Sequence, residues 1–198
     1  MKFFSKTDKS KILSEGLVYK ENSSANNAKI KDYLIEEQYG FCAYTEKYFD
    51  KLDSSEVEHF DSSIKYQDNY YNYYATLRKP NLYKKDEQYK GSRFFQTKFY
   101  QNQHELEQRI MYLKGEFVFE EADINDSEAR DFIEFLGLNN HDLYSTRQNH
   151  CKRLKGIFEA AAYTADEILA YFRSHKSELS FITTLENELN LDLSEFYS

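Results

Sequence analysis

The stretch RIMYLKGEFVF at 109–119 most constrains the fold of this chain, because it carries two alternating apolar runs around a Lys-Gly pair. Such alternation is typical of short strands, and a glycine between the runs favours a tight turn. The segment DSEARDFIEFLG follows with helical spacing, with Asn125 or Asp126 as its N-cap and Gly137 as its stop. A hairpin followed directly by a helix predicts an α+β fold.

Helical and extended patterns also alternate outside this segment. Apolar spacing predicts helices over 26–39, 81–90 and 141–173, a short closing helix within 180–197, and two short strands around a polar turn within 41–60. The aromatic stretch at 70–77 is compatible with a helix or a strand, and Pro80 ends whatever precedes it. We therefore expect a polar arm (1–25), a core (26–125) and a helical extension (126–198) packed on the same domain.

Composition excludes some classes of function. The chain has 198 residues, of which 40% are hydrophobic, and no apolar run approaches the roughly 20 residues that span a bilayer. We read no signal peptide, and the two cysteines are compatible with free thiols, so we expect a cytoplasmic protein without a membrane partner. A net charge of −8 argues against a chain that holds nucleic acid alone by bulk electrostatics.

A polar constellation within 41–90 is the strongest indication of chemistry. Its members are Cys42, Glu58, His59, Asn72, Asn81 and Lys84, and a local basic group accompanies it, formed by Arg78, Lys79, Lys84 and Lys85. A glutamate followed by a histidine on a strand is usually a surface feature. The later asparagines favour a site instead, and the basic group is a candidate phosphate-facing surface.

The motifs FCAYTE at 41–46, EVEHF at 56–60, YYNYYATLRKPNLYK at 70–84 and FIEFLGLNNHDLYSTR at 132–147 occur in an informative order. In this order the sequence resembles the HNH, or ββα-metal, endonucleases. It is most similar to the bacterial branch with CAYCE and VEHF signatures. That branch includes the nuclease subunits of Septu-type and retron-type anti-phage systems, which act with an ATPase. The resemblance covers roughly residues 28–155.

The resemblance implies a role for each polar residue. His59 would be the general base, Asn72 would fix the loop near it, and Lys84 would touch the scissile phosphate. Glu58, His59 and Asn81 would form the metal site for one Mg²⁺ or Mn²⁺ ion. The nucleic-acid-binding side chains would be Arg78, Lys79, Lys84 and Lys85. These residue types suit phosphodiester hydrolysis, which needs an activated water and a cation beside the phosphate.

The chain departs from the family at its structural zinc site. Many relatives hold zinc with two CxxC pairs, but here those positions read Cys42-Ala-Tyr-Thr45 and Leu77-Arg-Lys-Pro80. Because a structural zinc needs four ligands, we expect no zinc. Aromatic packing would replace it, supplied by Tyr44, Phe49, Tyr70, Tyr71, Tyr73 and Tyr74.

We therefore expect a small zinc-free ββα-metal centre framed by helices, which hydrolyses phosphodiester bonds in DNA. Anti-phage defence with an ATPase partner is implied by the resemblance alone. The alternative is a catalytically inactive HNH-fold subunit for binding or assembly. A third alternative is an unrelated α+β domain. The nuclease interpretation requires Glu58, His59 and Asn81 to converge on one point with His59 near Asn72, and it fails if Asn81 faces away or if His59 is buried against tyrosines. The unrelated domain predicts no ββα unit within 41–90.

Overall fold

The computed structural model describes residues 1–65 and 67–198 and confirms a mixed α+β fold. Within these residues, strand β1 (Ser55–His59) pairs antiparallel with β2 (Tyr73–Leu77), and β3 (Ile110–Leu113) pairs antiparallel with β4 (Val118–Glu121). Each pair is a separate two-stranded sheet. Two-stranded sheets are marginal alone, so helices must cover them.

Helices surround both sheets. They are α1 (Lys11–Ser14), α2 (Ser24–Glu37), α3 (Arg78–Asn81), α4 (Asp86–Tyr89), α5 (Phe94–Thr97), α6 (Gln103–Arg109), α7 (Ser127–Leu136), α8 (His141–Ala160), α9 (Ala165–Ser174) and α10 (Ile182–Leu189). The sheet of β1 and β2 packs on α2, and β4 packs on α7. In the part of the chain that the structure describes, no helix combines the length and the apolar character needed to cross a membrane.

The predicted strand pair within 41–60 is wrong. Residues 42–47 fold into a tight turn instead, in which the Cys42 and Lys47 main chains are joined by a hydrogen bond of 2.9 Å. The turn contains the residues that were expected to form the first strand. The partner of β1 is the 70–77 stretch, which forms a strand rather than a helix and whose β2 residues are buried throughout. His59 therefore lies on the first strand of its pair.

The local predictions for 109–137 are confirmed. The β3–β4 hairpin forms around Gly115, Asp126 caps α7 by accepting the Ala129 N–H, and Gly137 ends it in the left-handed region with φ 61°. The single helix predicted over 141–173 is wrong, because the chain breaks after Ala160 and restarts at a capping box formed by Thr164 with Glu167. Of the helix predicted over 81–90, only Asp86–Tyr89 forms a helix, α4, while Asn81 is the last residue of the preceding α3.

An aromatic core joins the beginning, the middle and the later part of the chain. Phe60, the residue after His59, packs with ring centroids 4.4 Å from Tyr100, 5.3 Å from Phe135 and 5.9 Å from Phe4. All four side chains are buried. Burying a phenylalanine stabilises the fold by roughly 1.5–3 kcal/mol. The core therefore fixes the end of β1, and it includes residues from all three predicted segments of the chain.

Candidate functional site

Glu58 and Asn81 meet where β1 faces α3. The Asn81 Nδ2 group donates to Glu58 Oε2 at 2.6 Å and to Glu56 Oε1 at 2.9 Å. Glu56 and Glu58 are two positions apart on one strand, so they share a face. Since α3 begins directly after β2, the partner strand of β1, a very short link carries Asn81 back over that face.

Lys84 is buried beside this carboxylate. Its side chain is 2% exposed, and its ammonium donates to Glu58 Oε1. It also contacts the main-chain carbonyls of His59 at 3.0 Å and Phe60 at 3.3 Å, and Asp86 Oδ1 at 3.0 Å. An ammonium surrounded by four acceptors holds the end of β1 in place. In this arrangement it is not free to meet a phosphate.

Opposing effects act on the pKa of the Glu58 carboxyl, and burial is the largest. Burial raises the pKa of the Glu58 carboxyl, while the Lys84 ammonium and the Asn81 amide act in the opposite direction. Desolvation penalises a buried carboxylate, and a nearby cation compensates for it. The carboxylate therefore depends on Lys84, or on another cation in its place, to stay ionised without cost.

His59 belongs to a second hydrogen-bonded group. Its Nδ1 atom lies 2.5 Å from Asp68 Oδ2, and the Asn72 Nδ2 group donates to the same oxygen at 2.8 Å. Asn72 also binds the main chain of Asp61 in both directions, at 2.8 and 3.0 Å. Asn72 thus fixes the loop after β1, as the resemblance implied. A carboxylate on Nδ1 favours the tautomer whose Nε2 lone pair is free to accept a proton.

Asp68 is the functional candidate that the motifs missed. Its side chain is 3% exposed and holds His59 in one orientation. A base that is oriented by a third group is the general pattern of activated sites. The signal was present in the sequence, since Asp68 precedes Asn72 by four residues in the segment DNYYN. Nothing in that spacing alone shows that the carboxylate turns towards the histidine.

The His59 ring is closed off from the surface. It is 6% exposed and lies edge-on between Tyr19, with centroids 4.6 Å apart, and Tyr73, at 5.3 Å. Its Nε2 atom is buried and has no hydrogen-bond partner among the described residues. Within those residues no hydrogen bond joins the His59 side chain to Glu58 or Asn81. Successive residues of a strand face opposite sides, so the His59 side chain points away from Glu58 and Asn81, and the three expected metal ligands do not converge in this structure.

Glu56, Glu58 and Asn81 carry the oxygen atoms near Glu58 that could hold a divalent cation, although the Lys84 ammonium contacts Glu58 in this structure. The Asn81 Oδ1 atom is a buried oxygen without a hydrogen-bond partner in the described part of the chain. Its amide nitrogen lies between Glu56 and Glu58, and rotation of the amide would place the oxygen there instead. Carboxylate and amide oxygens are the ligands that Mg²⁺ and Mn²⁺ prefer. Residues 1–65 and 67–198 contain no metal-binding group of three or more His, Cys, Asp or Glu, so such a site would use fewer of these residues.

Cys42 and Leu77, which begin the two segments compared above with CxxC pairs, are in contact. The Leu77 N–H donates to Cys42 Sγ at 3.3 Å, and both side chains are buried. Burial raises the pKa of the Cys42 thiol. The predicted aromatic packing is present, with Tyr44, Tyr70, Tyr73 and Tyr74 buried and Phe49 and Tyr71 partly buried. Packing and one N–H···S contact therefore join these two segments.

The basic group is largely neutralised within the chain. Lys79 pairs with Asp142 at 3.2 Å, Lys85 lies 3.8 Å from Glu134, and Lys84 is buried on Glu58. Arg78 is exposed, and no ion pair to it occurs in the described residues. Of the four side chains predicted to bind nucleic acid, Arg78 is the one most available to an incoming phosphate.

The turn at Gly137 contacts the segment of the chain that carries Lys84. A Cβ at Gly137 would lie 3.0 Å from the main-chain oxygen of Tyr83, and the Lys85 N–H donates to the Phe135 carbonyl at 2.8 Å. Residues 83–85 are therefore held against the end of α7. Since this segment carries Lys84 and follows Asn81, the FIEFLGLN motif acts as a scaffold for the site.

No known family model, curated protein or solved structure matches this chain. A functional assignment therefore depends on the motifs and on the geometry around Glu58, His59 and Asn81.

Proposed function

We propose that this chain is a metal-dependent endonuclease of the HNH, or ββα-metal, type. The observation that carries the proposal is the order β1, β2, α3, in which Glu58 at the end of β1 contacts Asn81 at the end of α3. His59 is the next residue after Glu58 and is oriented by Asp68. The resemblance implies two strands and a helix with a histidine on the second strand and an asparagine on the helix; here the order of elements is the same, but His59 lies on the first strand.

The chemistry assigned to each residue follows from its contacts. A divalent cation held by Glu58 and Asn81, with Glu56 beside them, would supply positive charge to a bound phosphate and to the leaving oxygen. His59, oriented by Asp68, is the proposed base for the attacking water. Its side chain leaves the opposite face of β1 from Glu58, so the end of β1 would have to change conformation before both residues could act on one phosphate. Lys84 positions Glu58 and the carbonyl end of β1.

Charge favours a partner that delivers the nucleic acid. The chain carries a net charge of −8, and three of the four basic side chains near the site are already paired with carboxylates. Affinity for a phosphate backbone comes largely from unpaired Lys and Arg. These charges are those expected if a partner delivers the nucleic acid; DNA as the substrate, an ATPase as the partner and anti-phage defence are proposed from the resemblance alone.

Two observations favour an inactive HNH-fold subunit as the second candidate. The Lys84 ammonium already occupies a Glu58 oxygen, and the His59 Nε2 atom is sealed from solvent. A protein that uses the fold for assembly alone would tolerate both features. The two candidate functions differ in whether the protein binds a metal ion and cleaves nucleic acid.

Cleavage of supercoiled plasmid by the purified chain tests the proposal. We would compare Mg²⁺, Mn²⁺ and EDTA, and wild type with His59→Ala and Asp68→Asn. His104→Ala is the control, because His104 is exposed and bonds to Gln108. We expect metal-dependent nicking that His59→Ala abolishes and His104→Ala preserves.

The same samples distinguish the second candidate. Calorimetric titration with Mn²⁺ would show binding that Glu58→Gln removes if the metal site exists. Absence of both nicking and Mn²⁺ binding would favour the inactive subunit. Nicking that persists in His59→Ala would show that the base has been assigned to the wrong residue.

A further inference from the structure

We propose that residues 15–23 form a strap that closes over His59 and must move away before this histidine can act. The inference rests on the proposed function, since it assigns a regulatory state to the same site. It concerns the accessibility of one nitrogen atom, Nε2 of His59, which the structure shows buried and without a partner among the described residues. A base in that condition cannot reach a water molecule or a substrate.

Tyr19 is the part of the strap that covers the imidazole. Its ring lies at 89° to the His59 ring, with centroids 4.6 Å apart, which is an edge-to-face contact. The other flanking ring, Tyr73, belongs to β2 and is fixed there by its pairing with His59 across the sheet. Opening the site at Tyr73 would break the sheet. Opening it at Tyr19 would leave every strand of the sheet intact.

The strap has the construction of a separable segment. It links α1 to α2 without forming a helix or strand of its own, and Val18 at its centre is 47% exposed. It begins near Gly16, whose φ is 62° and whose surroundings are open to 4 Å. A glycine in the left-handed region with free space around it is suited to act as a hinge.

Polar contacts hold the strap down. The Asn26 side chain donates to the Val18 carbonyl at 2.7 Å, and Asn27 binds the Lys20 main chain in both directions, at 3.0 and 2.6 Å. The Tyr19 N–H donates to the Tyr73 hydroxyl at 3.3 Å. Hydrogen bonds near the surface exchange readily with water and contribute little net free energy. Leu17 and Tyr19 also pack against the apolar cluster that contains Ile12, Ile30 and Tyr73, so both polar and apolar contacts hold the closed state.

Chemical labelling of histidine measures the closure without metal or DNA. Diethyl pyrocarbonate acylates accessible imidazoles, and mass spectrometry of peptides reports each histidine separately. In wild type we expect His59 to react far more slowly than the exposed His104. In Tyr19→Ala we expect the His59 rate to rise about two- to tenfold, the factor set by loss of one aromatic contact. In Tyr19→Phe, which keeps the ring, we expect the wild-type rate.

Matched variants separate a strap from a merely structural tyrosine. Val18→Ala changes the neighbouring strap residue, which faces solvent, and should leave His59 labelling unchanged. The double variant Asn26→Ala/Asn27→Ala keeps Tyr19 but removes the anchors, and should raise His59 labelling. His150 is largely buried, and its labelling reports global unfolding, so it should stay constant in every variant.

Three outcomes would overturn the proposal. They are wild-type labelling of His59 as fast as that of His104, no increase in Tyr19→Ala, and an increase in which His150 labelling rises in parallel. Because labelling requires no catalysis, a chain that fails to nick DNA can still show the strap. If wild type nicks DNA, Tyr19→Ala should nick it faster. If Tyr19→Ala instead loses nicking while its His59 labelling rises, the strap still covers His59 but does not control cleavage.

Discussion

Replacing Lys84 with methionine would remove the ammonium group that holds Glu58 while keeping an unbranched side chain. The ammonium contacts Glu58 and Asp86 and the carbonyls at the end of β1. The Lys84 side chain is 2% exposed, so water cannot replace these contacts without local opening. The substitution therefore leaves a buried carboxylate without its cation.

The expected loss of stability is large. Removing one partner of a buried ion pair typically costs about 3–5 kcal/mol, because the other charge remains desolvated. For a domain of this length, 1 kcal/mol lowers Tm by about 2–4 °C, so the loss corresponds to roughly 6–20 °C. Such a loss is a substantial part of the roughly 5–15 kcal/mol that stabilises an ordinary domain.

The loss should depend on pH in a defined direction. Burial already raises the pKa of Glu58 above its ordinary value of 4.5, and without Lys84 the pKa rises further. A raised pKa in the folded state gives stability that is present below 4.5 and is lost as pH rises through the folded value. The difference between wild type and Lys84→Met should therefore be small near pH 4.5 and grow towards pH 8.

Urea unfolding in EDTA, followed by circular dichroism at several pH values, measures this difference. Lys85→Met is the matched control, because Lys85 is half exposed and lies 3.8 Å from Glu134. Such surface pairs contribute about 0–1 kcal/mol. Adding Glu58→Gln to Lys84→Met should recover much of the loss by removing the unpaired charge. Equal losses in the two lysine variants, or a loss independent of pH, would refute the reasoning.

Two further predictions concern Gly137 and His150. Gly137→Ala should lower the free energy of unfolding by about 1 kcal/mol or more beyond the loss in Gly115→Ala. Both glycines have positive φ, but only at Gly137 would a Cβ press against Tyr83. Equal losses of the two variants in thermal unfolding would show that this contact is unimportant. Burial lowers the pKa of His150 below 6.5, so wild type should lose stability as pH falls from 7 to 5 more steeply than His150→Gln, which can still donate to the Glu178 carbonyl. Parallel pH profiles in chemical unfolding would contradict this.

The elements that the sequence predicted correctly are those that depend on near neighbours. The β3–β4 hairpin is closed by the turn between its own strands, and α7 begins at Asp126 and ends at Gly137 through contacts within a few residues. Capping and turn preferences act over such short distances, so they can be read from the local sequence. The α+β class follows from them.

The pairing of β1 required longer-range information. Its partner, β2, starts 14 residues after β1 ends, while the nearer 42–47 segment forms a turn. The two segments that could have paired with β1 are both short and aromatic, so local strand preference does not distinguish them. Burial on the core face of α2 selected β2, because strand preference depends on the surface against which a strand packs.

The order Glu58, His59, Asn72, Asn81, Lys84 is present in the sequence, and it carries the resemblance from which the chemistry is proposed. What each of these side chains contacts depends on the packing of the folded chain. It buried Lys84 on Glu58, turned Asp68 towards His59 and laid Tyr19 over the imidazole from a position 40 residues earlier. These contacts depend on how separate segments pack around one aromatic core, and no local spacing in the chain specifies that packing.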